Sequence, residues 1–554
     1  MLSRRYEALY AALGAVVVAV ILTWPLAIRM TEGGRVDSGD GRYSIWNVAW
    51  VAHALTTDPA RVYDANIFYP NQKALAFSEA NLVAGVLATP AWILSGRNPY
   101  AAYNTFVIVA FALAGFTSFL LARQVGANRV GAAVTGLIAG YCPYMFAHLP
   151  HAQLLMTFGP ALSLLTMHRF VEAPTWRRSA ALGAALTVTG LACAYYGIFS
   201  GLVVSAGILW FSLTDNRWRQ WRYWAGAAAA AALVVAGITP FFLPYLDVRE
   251  AGFERTLAEA RLFSTIGRAY FASAMALHTW MLPLLGTWRE VLFPGFQALL
   301  LGLAAIVIGL RRPTLGPRTV IGFYAFVIVL SIWISLGPDG GLYTWLYHAL
   351  PAFSFLRAPA RMGILVTLAL AVLTGLLVTW LLNRSPRRTL LGAALIFVAL
   401  AESWLPEMPF TLAPPVPKAH RRLAAMPPGA VAEFPYFIGP VERHRNTEYM
   451  LLSTFHWQPL LNGYSDHTPL DIFEVKPVLN TFPSPESIEE VRSRGIRWVA
   501  VHFNKYDDQT RRRVRRQLRE IVQRGDVLRV AVDDSEVSLY EVIWPMRAVA
   551  PQQP

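Results

Sequence analysis

The stretch SAALGAALTVTGLACAYYGIFSGLVVSAGILWFSL, residues 179–213, contains no charged side chain. A transmembrane helix needs about 20 apolar residues to cross a hydrocarbon core of about 30 Å. The stretch is long enough for two such helices, with a turn near Tyr195. Arg177 and Arg178 precede it and Arg217 follows it. Because arginine is enriched in cytoplasmic loops, the stretch predicts a hairpin of two spans with both ends in the cytoplasm.

The composition extends this interpretation to most of the chain. Of its 554 residues, 55% are hydrophobic and 15% are charged, whereas a soluble domain usually carries about 25% charge. Cytoplasmic loops and contact with anionic lipids explain the net charge of +14 more simply than nucleic acid does, so no nucleic-acid partner is predicted. The two cysteines, Cys142 and Cys193, lie in apolar segments, which argues against a disulfide framework and a thiolate metal site.

The apolar runs together predict about eleven spans. The first follows Arg4 and Arg5 and is interpreted as a retained signal-anchor. With the N-terminus in the cytoplasm, every short loop on that side holds at least two arginines. This supports the assignment of spans, because one missed span would place every later loop on the opposite side of the membrane. The predicted spans cover approximately residues 8–28, 100–121, 130–147, 152–168, 179–213 (two spans), 223–246, 294–310, 319–336, 362–382 and 389–404.

The predicted fold class is an all-α polytopic transmembrane bundle, residues 1–405, with its N-terminus in the cytoplasm. Its long extracytoplasmic loops, at 29–99, 247–293 and 337–361, mark the functional face. The first loop contains the amphipathic segments SIWNVAWVAHAL and NLVAGVLATPAWIL, which are predicted to be interfacial or re-entrant helices.

Residues 406–554 contain no span and are predicted to form a small extracytoplasmic α/β domain. Strands are predicted from alternating apolar residues and helices from their amphipathic period. The predicted strands cover residues 430–434, 497–503, 527–532 and 537–542, and the predicted helices cover 484–494 and 508–524.

Acidic side chains in the first loop are candidates for chemistry. Asp37 and Asp40 lie in VDSGDGRYSIWN directly after the first span, and Glu79 precedes an apolar helix. A carboxylate at a membrane face can act as a general base or hold a divalent metal. The alternative is that these residues cap helices or occupy turns.

Two histidines lie at the end of the third span, in YCPYMFAHLPHAQLL. His148 and His151 are followed by Gln153, and the three are candidates for substrate binding or acid–base chemistry. A structural role at the interface is the alternative. Pro150 interrupts the helical spacing and no third ligand is near in sequence, so no metal site is predicted.

The third loop ends in FSFLRAPARMG, where Arg357 and Arg361 precede a span. Cations at the start of a helix interact unfavourably with the helix dipole, so their presence there indicates a role other than helix stabilisation. Guanidinium groups suit phosphate oxygens, which predicts binding of a lipid-linked phosphate. Snorkelling to lipid headgroups is the alternative. The assigned span cores otherwise hold no Asp, Glu, Lys or Arg apart from Glu402, which weakens a transporter interpretation.

Five stretches carry a resemblance to the GT-C superfamily of membrane glycosyltransferases, and more closely to uncharacterised bacterial multi-pass proteins of the YfhO-like group. Together they are distributed over most of the chain. They are SGDGRYSIWNVAWVAHAL, ANIFYPNQKALAFSE, YCPYMFAHLPHAQLL, FSFLRAPARMG and HWQPLLNGYSDHTP.

The resemblance implies transfer of a sugar from a polyprenyl-phosphate donor to an extracytoplasmic glycan, lipid or protein acceptor at a bacterial inner membrane. In such enzymes a carboxylate in the first outer loop is central, which corresponds best to Asp40 and next to Asp37. Basic residues near later spans hold the donor phosphate, which fits Arg357 and Arg361. Several members carry a second acidic residue after the third span, where this chain has histidines.

The segment HWQPLLNGYSDH contributes Tyr464 and Asp466 as candidate substrate-binding residues, although its aromatic and amide groups equally suit a domain interface. No cofactor is predicted. A lipid or polysaccharide transporter or flippase, and a non-catalytic membrane scaffold, are the alternative functions.

Overall fold

A computed structural model of the chain describes residues 2–250, 252, 255–271, 273–285, 290–405, 407–437, 439 and 441–543. The predicted loop at 247–293 and the predicted domain at 406–554 therefore lie partly outside the described residues.

Helices dominate the described part of the chain. They are α1 Leu2–Leu22, α2 Gly39–Thr57, α3 Leu82–Leu94, α4 Pro99–Gln124, α5 Arg129–Gly140, α6 Pro143–Ala147, α7 Phe158–Glu172, α8 Trp176–Ala192, α9 Ala194–Thr214, α10 Trp221–Glu250, α11 Leu257–Leu262, α12 Phe296–Arg311, α13 Arg318–Ser335, α14 Leu342–Ala349, α15 Ile364–Leu382, α16 Arg388–Glu402, α17 Lys418–Leu423, α18 Asn446–Ser453, α19 Leu470–Leu479, α20 Pro485–Ser493 and α21 Asp508–Arg524. The strands are β1 Gly33–Gly34, β2 Thr411–Leu412, β3 Ala430–Phe434, β4 Ile496–His502, β5 Leu528–Val532 and β6 Val537–Val542.

Seven helical segments are long and apolar enough to cross a membrane, judged by length and composition over the residues the structure describes. The chain is therefore a multi-pass membrane protein, as predicted. The total of about eleven spans stays a prediction, because Tyr6–Leu22 and Phe296–Arg311 are shorter apolar helices. The seven segments are Pro99–Gln124, Arg129–Ala147, Ala152–Glu172, Ala194–Thr214, Trp221–Glu250, Arg318–Ser335 and Pro359–Leu382.

The predicted hairpin in residues 179–213 is present as two helices, α8 and α9. They are separated at Cys193, whose backbone is extended (φ −157°, ψ 119°). The break comes two residues before the predicted turn at Tyr195.

The chain divides into two compact units. The first contains Met1–Thr31, Asn81–Ala91 and Ala101–Phe410, and the second contains Glu32–Ala80, Trp92–Tyr100 and Thr411–Pro554. Most of the first predicted extracytoplasmic loop thus folds with the C-terminal part of the chain. The division into domains at residues 405 and 406 stays a prediction.

In the first unit, α5 and α15 pack with their backbones in close approach. A Cβ atom added at Gly375 would lie 2.7 Å from the carbonyl oxygen of Gly131 and would overlap the hydroxyl of Thr135. That hydroxyl donates to the carbonyl of Ala371 at 3.0 Å across the same contact. Small residues permit this approach, which is a common way for membrane helices to associate.

Glu402, the one acidic residue in the predicted span cores, has a structural partner within the first unit. Its carboxylate accepts the N–H of Phe296 at 2.7 Å and that of Gln297 at 3.0 Å, at the start of α12. These N–H groups have no partner inside the helix, and a carboxylate there also suits the helix dipole. Glu402 therefore caps α12 from the end of α16.

The second unit contains a four-stranded mixed sheet with strand order β3-β4-β6-β5. Strand β3 is parallel to β4, and the other two neighbouring pairs are antiparallel. The predicted strands and the two predicted helices are confirmed to within one residue at every end. Asp507 caps the N-terminus of α21 by accepting the N–H groups of Gln509 and Thr510, and Gly525 ends this helix at φ +75°.

The first predicted loop joins the C-terminal segment of the second unit by backbone hydrogen bonds. The N–H of Phe68 donates to the carbonyl of Asn462 at 3.2 Å, and the N–H of Tyr69 donates to that of Leu460 at 2.8 Å. Strands β1 and β2 form a second, antiparallel contact between the same parts of the sequence. The segment SIWNVAWVAHAL is helical as predicted, within α2.

Candidate functional site

Asp40, in the second unit, lies in the first turn of α2. Ser38 caps this helix, because its Oγ accepts the N–H of Gly41 at 3.1 Å. The capping role considered for Asp37 and Asp40 is therefore filled by Ser38. Asp40 is half-buried, and its Oδ1 accepts the hydroxyl of Tyr464 at 3.1 Å. This bond fixes the carboxylate at the start of the helix.

Tyr464 lies in a small aromatic group beside Asp40. Its ring meets the ring of Tyr43 edge-on, with centroids 5.8 Å apart. Burial and the neighbouring carboxylate of Asp40 raise the pKa of Tyr464, so its hydroxyl keeps the proton that it donates. Burial also raises the pKa of Tyr43 to about 12, and the charge of Asp466 adds to this rise. The structure thus brings the predicted residues Asp40, Tyr464 and Asp466 together.

Asp37 and Glu79 have different surroundings in the same unit. Asp37 is exposed and forms a two-point ion pair with Arg35, at 2.9 and 3.2 Å. Glu79 is partly buried, and its backbone carbonyl accepts the side chain of Asn47 from α2 at 3.3 Å. The roles predicted for Asp37 and Glu79 stay predictions.

His148, in the first unit, follows α6 and is held at both ring nitrogens. Nδ1 contacts the carbonyl oxygen of Tyr144 at 2.7 Å, and Nε2 contacts Oε2 of Glu290 at 2.8 Å. The ring is buried against that of Tyr144, with centroids 4.0 Å apart. The ring of His151 lies near that of His148, with centroids 5.9 Å apart. Gln153 lies in the short helical turn Ala152–Leu155 and is partly buried.

Arg361 and Arg357 both contact Tyr195. The guanidinium of Arg361 is buried and lies over the Tyr195 ring, 4.4 Å from its centroid. The backbone N–H of Arg357 donates to the Tyr195 hydroxyl at 3.2 Å. The Arg357 side chain lies over Phe263 and 3.7 Å from the carboxylate of Glu259. Both arginines therefore contact Tyr195, and the guanidinium of Arg357 additionally lies beside Phe263 and Glu259.

Glu290 connects the histidine and arginine sides of this cluster electrostatically. Burial by itself raises the pKa of Glu290, but the adjacent His148 and the charges of Arg361 and His151 overcome this effect and hold the pKa at about 2. The carboxylate is therefore ionised at neutral pH. The cluster combines one carboxylate with cationic and imidazole groups where helices of the first unit begin and end, an arrangement suited to binding a polar or phosphorylated group.

Glu290 and Tyr195 were not predicted as site residues. Glu290 lies 142 positions from His148, in a loop segment without helical or strand periodicity. The sequence indicates Tyr195 only as a turn position. The one sequence signal is that Glu290 lies a few residues before an apolar helix, as Glu79 does.

No protein-family model matches the chain, and no curated protein sequence is significantly similar to it. Solved structures do match. The chain has a fold similar to that of a solved arabinofuranosyltransferase, in agreement with the predicted GT-C-like fold.

The arabinofuranosyltransferase AftD from Mycobacteria matches 98% of this chain with a TM-score of 0.58 and 11% identity, and the chain spans 40% of the length of AftD. An AftD mutant structure gives a TM-score of 0.59 at 14% identity, with 98% of this chain and 42% of that chain covered. ArnT from Cupriavidus metallidurans bound to undecaprenyl phosphate matches 96% of this chain and 98% of its own, with 14% identity and a TM-score of 0.41. The likeness to YfhO-like proteins stays a prediction.

Proposed function

We propose that the chain transfers a sugar from a polyprenyl-phosphate-linked donor to a glycan, lipid or protein acceptor on the extracytoplasmic side of a bacterial inner membrane. The likeness of its fold to an arabinofuranosyltransferase supports the reaction class. The observation that carries the proposal is Arg361, a buried guanidinium at the start of an apolar helix.

Arg361 is suited to the phosphate of a lipid-linked donor. A buried cation is costly unless it is paired, and its Nε has no hydrogen-bond partner among the residues the structure describes. A phosphate oxygen supplies such a partner, and hydrogen bonds between guanidinium and phosphate are among the stronger ones in proteins. In this proposal Arg357 adds charge near the same phosphate, and His148 or His151 binds the acceptor or the phosphate.

The proposed step is a single displacement at the sugar. The acceptor hydroxyl oxygen forms a bond to the anomeric carbon while the bond from that carbon to the phosphate oxygen breaks. Polyprenyl phosphate leaves with the electron pair, and Asp40 takes the hydroxyl proton. A positioned general base contributes about 10²–10⁴-fold to such a step. Gln153, Glu79, Tyr464 and Asp466 are assigned to substrate contacts, and Asp37 is the second candidate for the base.

Reconstituted vesicles test this proposal. The purified chain is supplied with labelled polyprenyl-phosphate pentose or hexose and an extract of envelope glycans and lipids. We expect label to become covalently attached to an acceptor. Movement of the intact labelled lipid across the bilayer without a new bond would instead indicate a flippase. Absence of both activities would favour a scaffold.

The variant Arg361→Ala tests the phosphate role. Losing a charge-assisted hydrogen bond costs about 1.5–3 kcal/mol, so we expect the donor KM to rise about 10–100-fold with a smaller change in kcat. Arg361→Lys keeps the charge, so we expect its donor KM to lie between those of the wild type and Arg361→Ala. Arg384→Ala, at an exposed arginine, is the control. An unchanged donor KM in Arg361→Ala would exclude the assigned role.

A further inference from the structure

Three histidines and a glutamate meet inside the second unit. His420 comes from α17, Glu433 from β3, His456 from the turn after α18, and His502 from the end of β4. Nε2 of His420 lies 2.9 Å from Oε1 of Glu433, and Nε2 of His502 lies 2.6 Å from Oε2. The His456 ring is roughly parallel to that of His420, with centroids 5.9 Å apart.

The group is built into the interior of the unit. Glu433 is fully buried, and His420 and His502 are 1% and 2% exposed. The side chain of Asn462 accepts the N–H of Glu433 at 2.8 Å and donates to its carbonyl at 3.0 Å, so the backbone of Glu433 is held as well. A buried ionised carboxylate is retained where charged or hydrogen-bonding partners compensate for its lost hydration.

Two ring nitrogens of the group remain unsatisfied. Nδ1 of His420 and Nε2 of His456 are buried and have no hydrogen-bond partner within the described part of the chain. A buried polar atom left without a hydrogen-bond partner lowers the stability of the fold. A purely structural network accounts for the bonds from His420 and His502 to Glu433. It does not account for His456, which brings a third imidazole and a second unsatisfied nitrogen to the same place.

We propose that His420, Glu433 and His456 bind a divalent transition-metal ion, with Zn²⁺ the best match. One ligand atom from each of these three side chains lies within 4.8 Å of the other two. Zinc bonds of about 2.0–2.2 Å in tetrahedral geometry place ligand atoms about 3.4 Å apart. The three ligand atoms therefore move roughly 1 Å closer to one another when the ion binds. Two imidazoles and one carboxylate suit Zn²⁺ better than the all-oxygen sites of Mg²⁺ or Ca²⁺.

In this site His502 is a positioning residue. It holds the second oxygen of Glu433 and thereby orients the carboxylate, and such outer partners typically change metal affinity about 10–100-fold when they are removed. Gln458 provides a local reporter, because its N–H donates to Nδ1 of His456 at 3.0 Å. Whether His456 binds the metal through Nδ1 or through Nε2, Nδ1 can no longer accept this hydrogen bond.

Metal binding to the purified full-length protein tests the proposal. The chain in detergent is stripped with a chelator and titrated with Zn²⁺ or Co²⁺ alone. We expect one ion per chain, a visible Co²⁺ absorption typical of tetrahedral coordination, and faster amide exchange at Gln458. His456→Gln and Glu433→Gln should lose the bound ion. His502→Gln should keep the Co²⁺ spectrum but bind about 10–100-fold more weakly.

His444→Gln is the matched control, because His444 is an exposed histidine of the same unit and its loss should leave binding unchanged. His456 is only partly buried, so its glutamine variant should fold and melt like the stripped wild type. This keeps the test decisive if Glu433→Gln fails to fold. No Co²⁺ spectrum in the wild type, or equal binding in wild type and His456→Gln, would overturn the metal site.

Discussion

Two aspartates, three residues apart, differ in what surrounds them. Asp40 is half-buried and fixed by Tyr464, whereas Asp37 is exposed and paired with Arg35. We predict that Asp40→Asn lowers the rate of sugar transfer by about 10²–10⁴-fold, because the amide cannot accept the proton of the acceptor. Initial rates in reconstituted vesicles measure this loss, with expression and insertion checked in parallel.

Asp37→Asn is the matched comparison for that experiment. An exposed ion pair contributes little, so the loss should be less than about tenfold. Tyr464→Phe removes only the hydroxyl that orients Asp40, and we expect an intermediate loss. Normal transfer by Asp40→Asn, or a greater loss in Asp37→Asn, would move the catalytic role away from Asp40.

Glu290 leads to a prediction about pH. Its pKa is about 2 in the folded protein, below its ordinary value of 4.5, so ionised Glu290 stabilises the fold. This contribution is fully present above about pH 4.5 and is lost as the pH falls toward 2. The melting temperature of Glu290→Gln should therefore be lower than that of the wild type at pH 7, and the difference should shrink below pH 4.5.

Glu520→Gln, at an exposed glutamate of α21, is the control for this comparison and should melt like the wild type throughout. If the difference in melting temperature between Glu290→Gln and the wild type stays constant from pH 7 to pH 3, the destabilisation does not arise from the charge of Glu290.

Sequence patterns identified some candidate residues but not their partners. Asp40 and Tyr464 were both singled out, and they form a hydrogen bond across 424 positions. Glu290 and Glu433 were missed, because they contact histidines through the tertiary fold and no local spacing encodes those contacts. The pairing of Arg357 with Glu259 was equally invisible, since a linear sequence shows charges but not which of them face each other.

At the scale of elements, periodicity predicted most of the secondary structure. Helix α21 was predicted over its full length from its amphipathic period, and the structure shows Asp507 and Gly525 at its two ends. The hairpin of α8 and α9 was predicted from length, but its break at Cys193 was placed two residues late. No cap or glycine marks that break, so composition alone could not locate it.

The contact between α5 and α15 leads to a prediction about stability. Gly375→Ala forces the new methyl group against Gly131 and Thr135, and overpacking of this kind costs about 1–3 kcal/mol. We expect a lower melting temperature in detergent. Gly201→Ala in α9 is the control, because nothing lies within 4 Å of an added Cβ there. Equal melting temperatures of the two variants would show that the methyl group added at Gly375 does not destabilise the contact between α5 and α15.

For the whole molecule, the arginine distribution predicts an orientation that labelling can test. Cys142 and Cys193 are buried, so the background from native thiols should be low. In sealed right-side-out vesicles, we expect a membrane-impermeant maleimide to react with Arg512→Cys, and with Arg312→Cys only after permeabilisation. Both positions are exposed. The opposite pattern would invert the predicted topology.

The sequence supported a membrane bundle and a separate C-terminal segment, but not the grouping of the first loop with that segment. Hydropathy reports where a chain enters and leaves the bilayer. It carries no information on which polar stretches later fold together, such as Phe68 with Asn462.

This grouping has a consequence for biosynthesis. Residues Glu32–Ala80 are synthesised early, but partners such as Asn462 follow only after the 330 residues between Ala80 and Thr411. At about 5–20 residues per second, translation of that interval takes on the order of 20–60 s. During this time the early segment lacks its final backbone partners and is open to proteases and chaperones. A chain truncated after residue 410 would remain in that condition permanently.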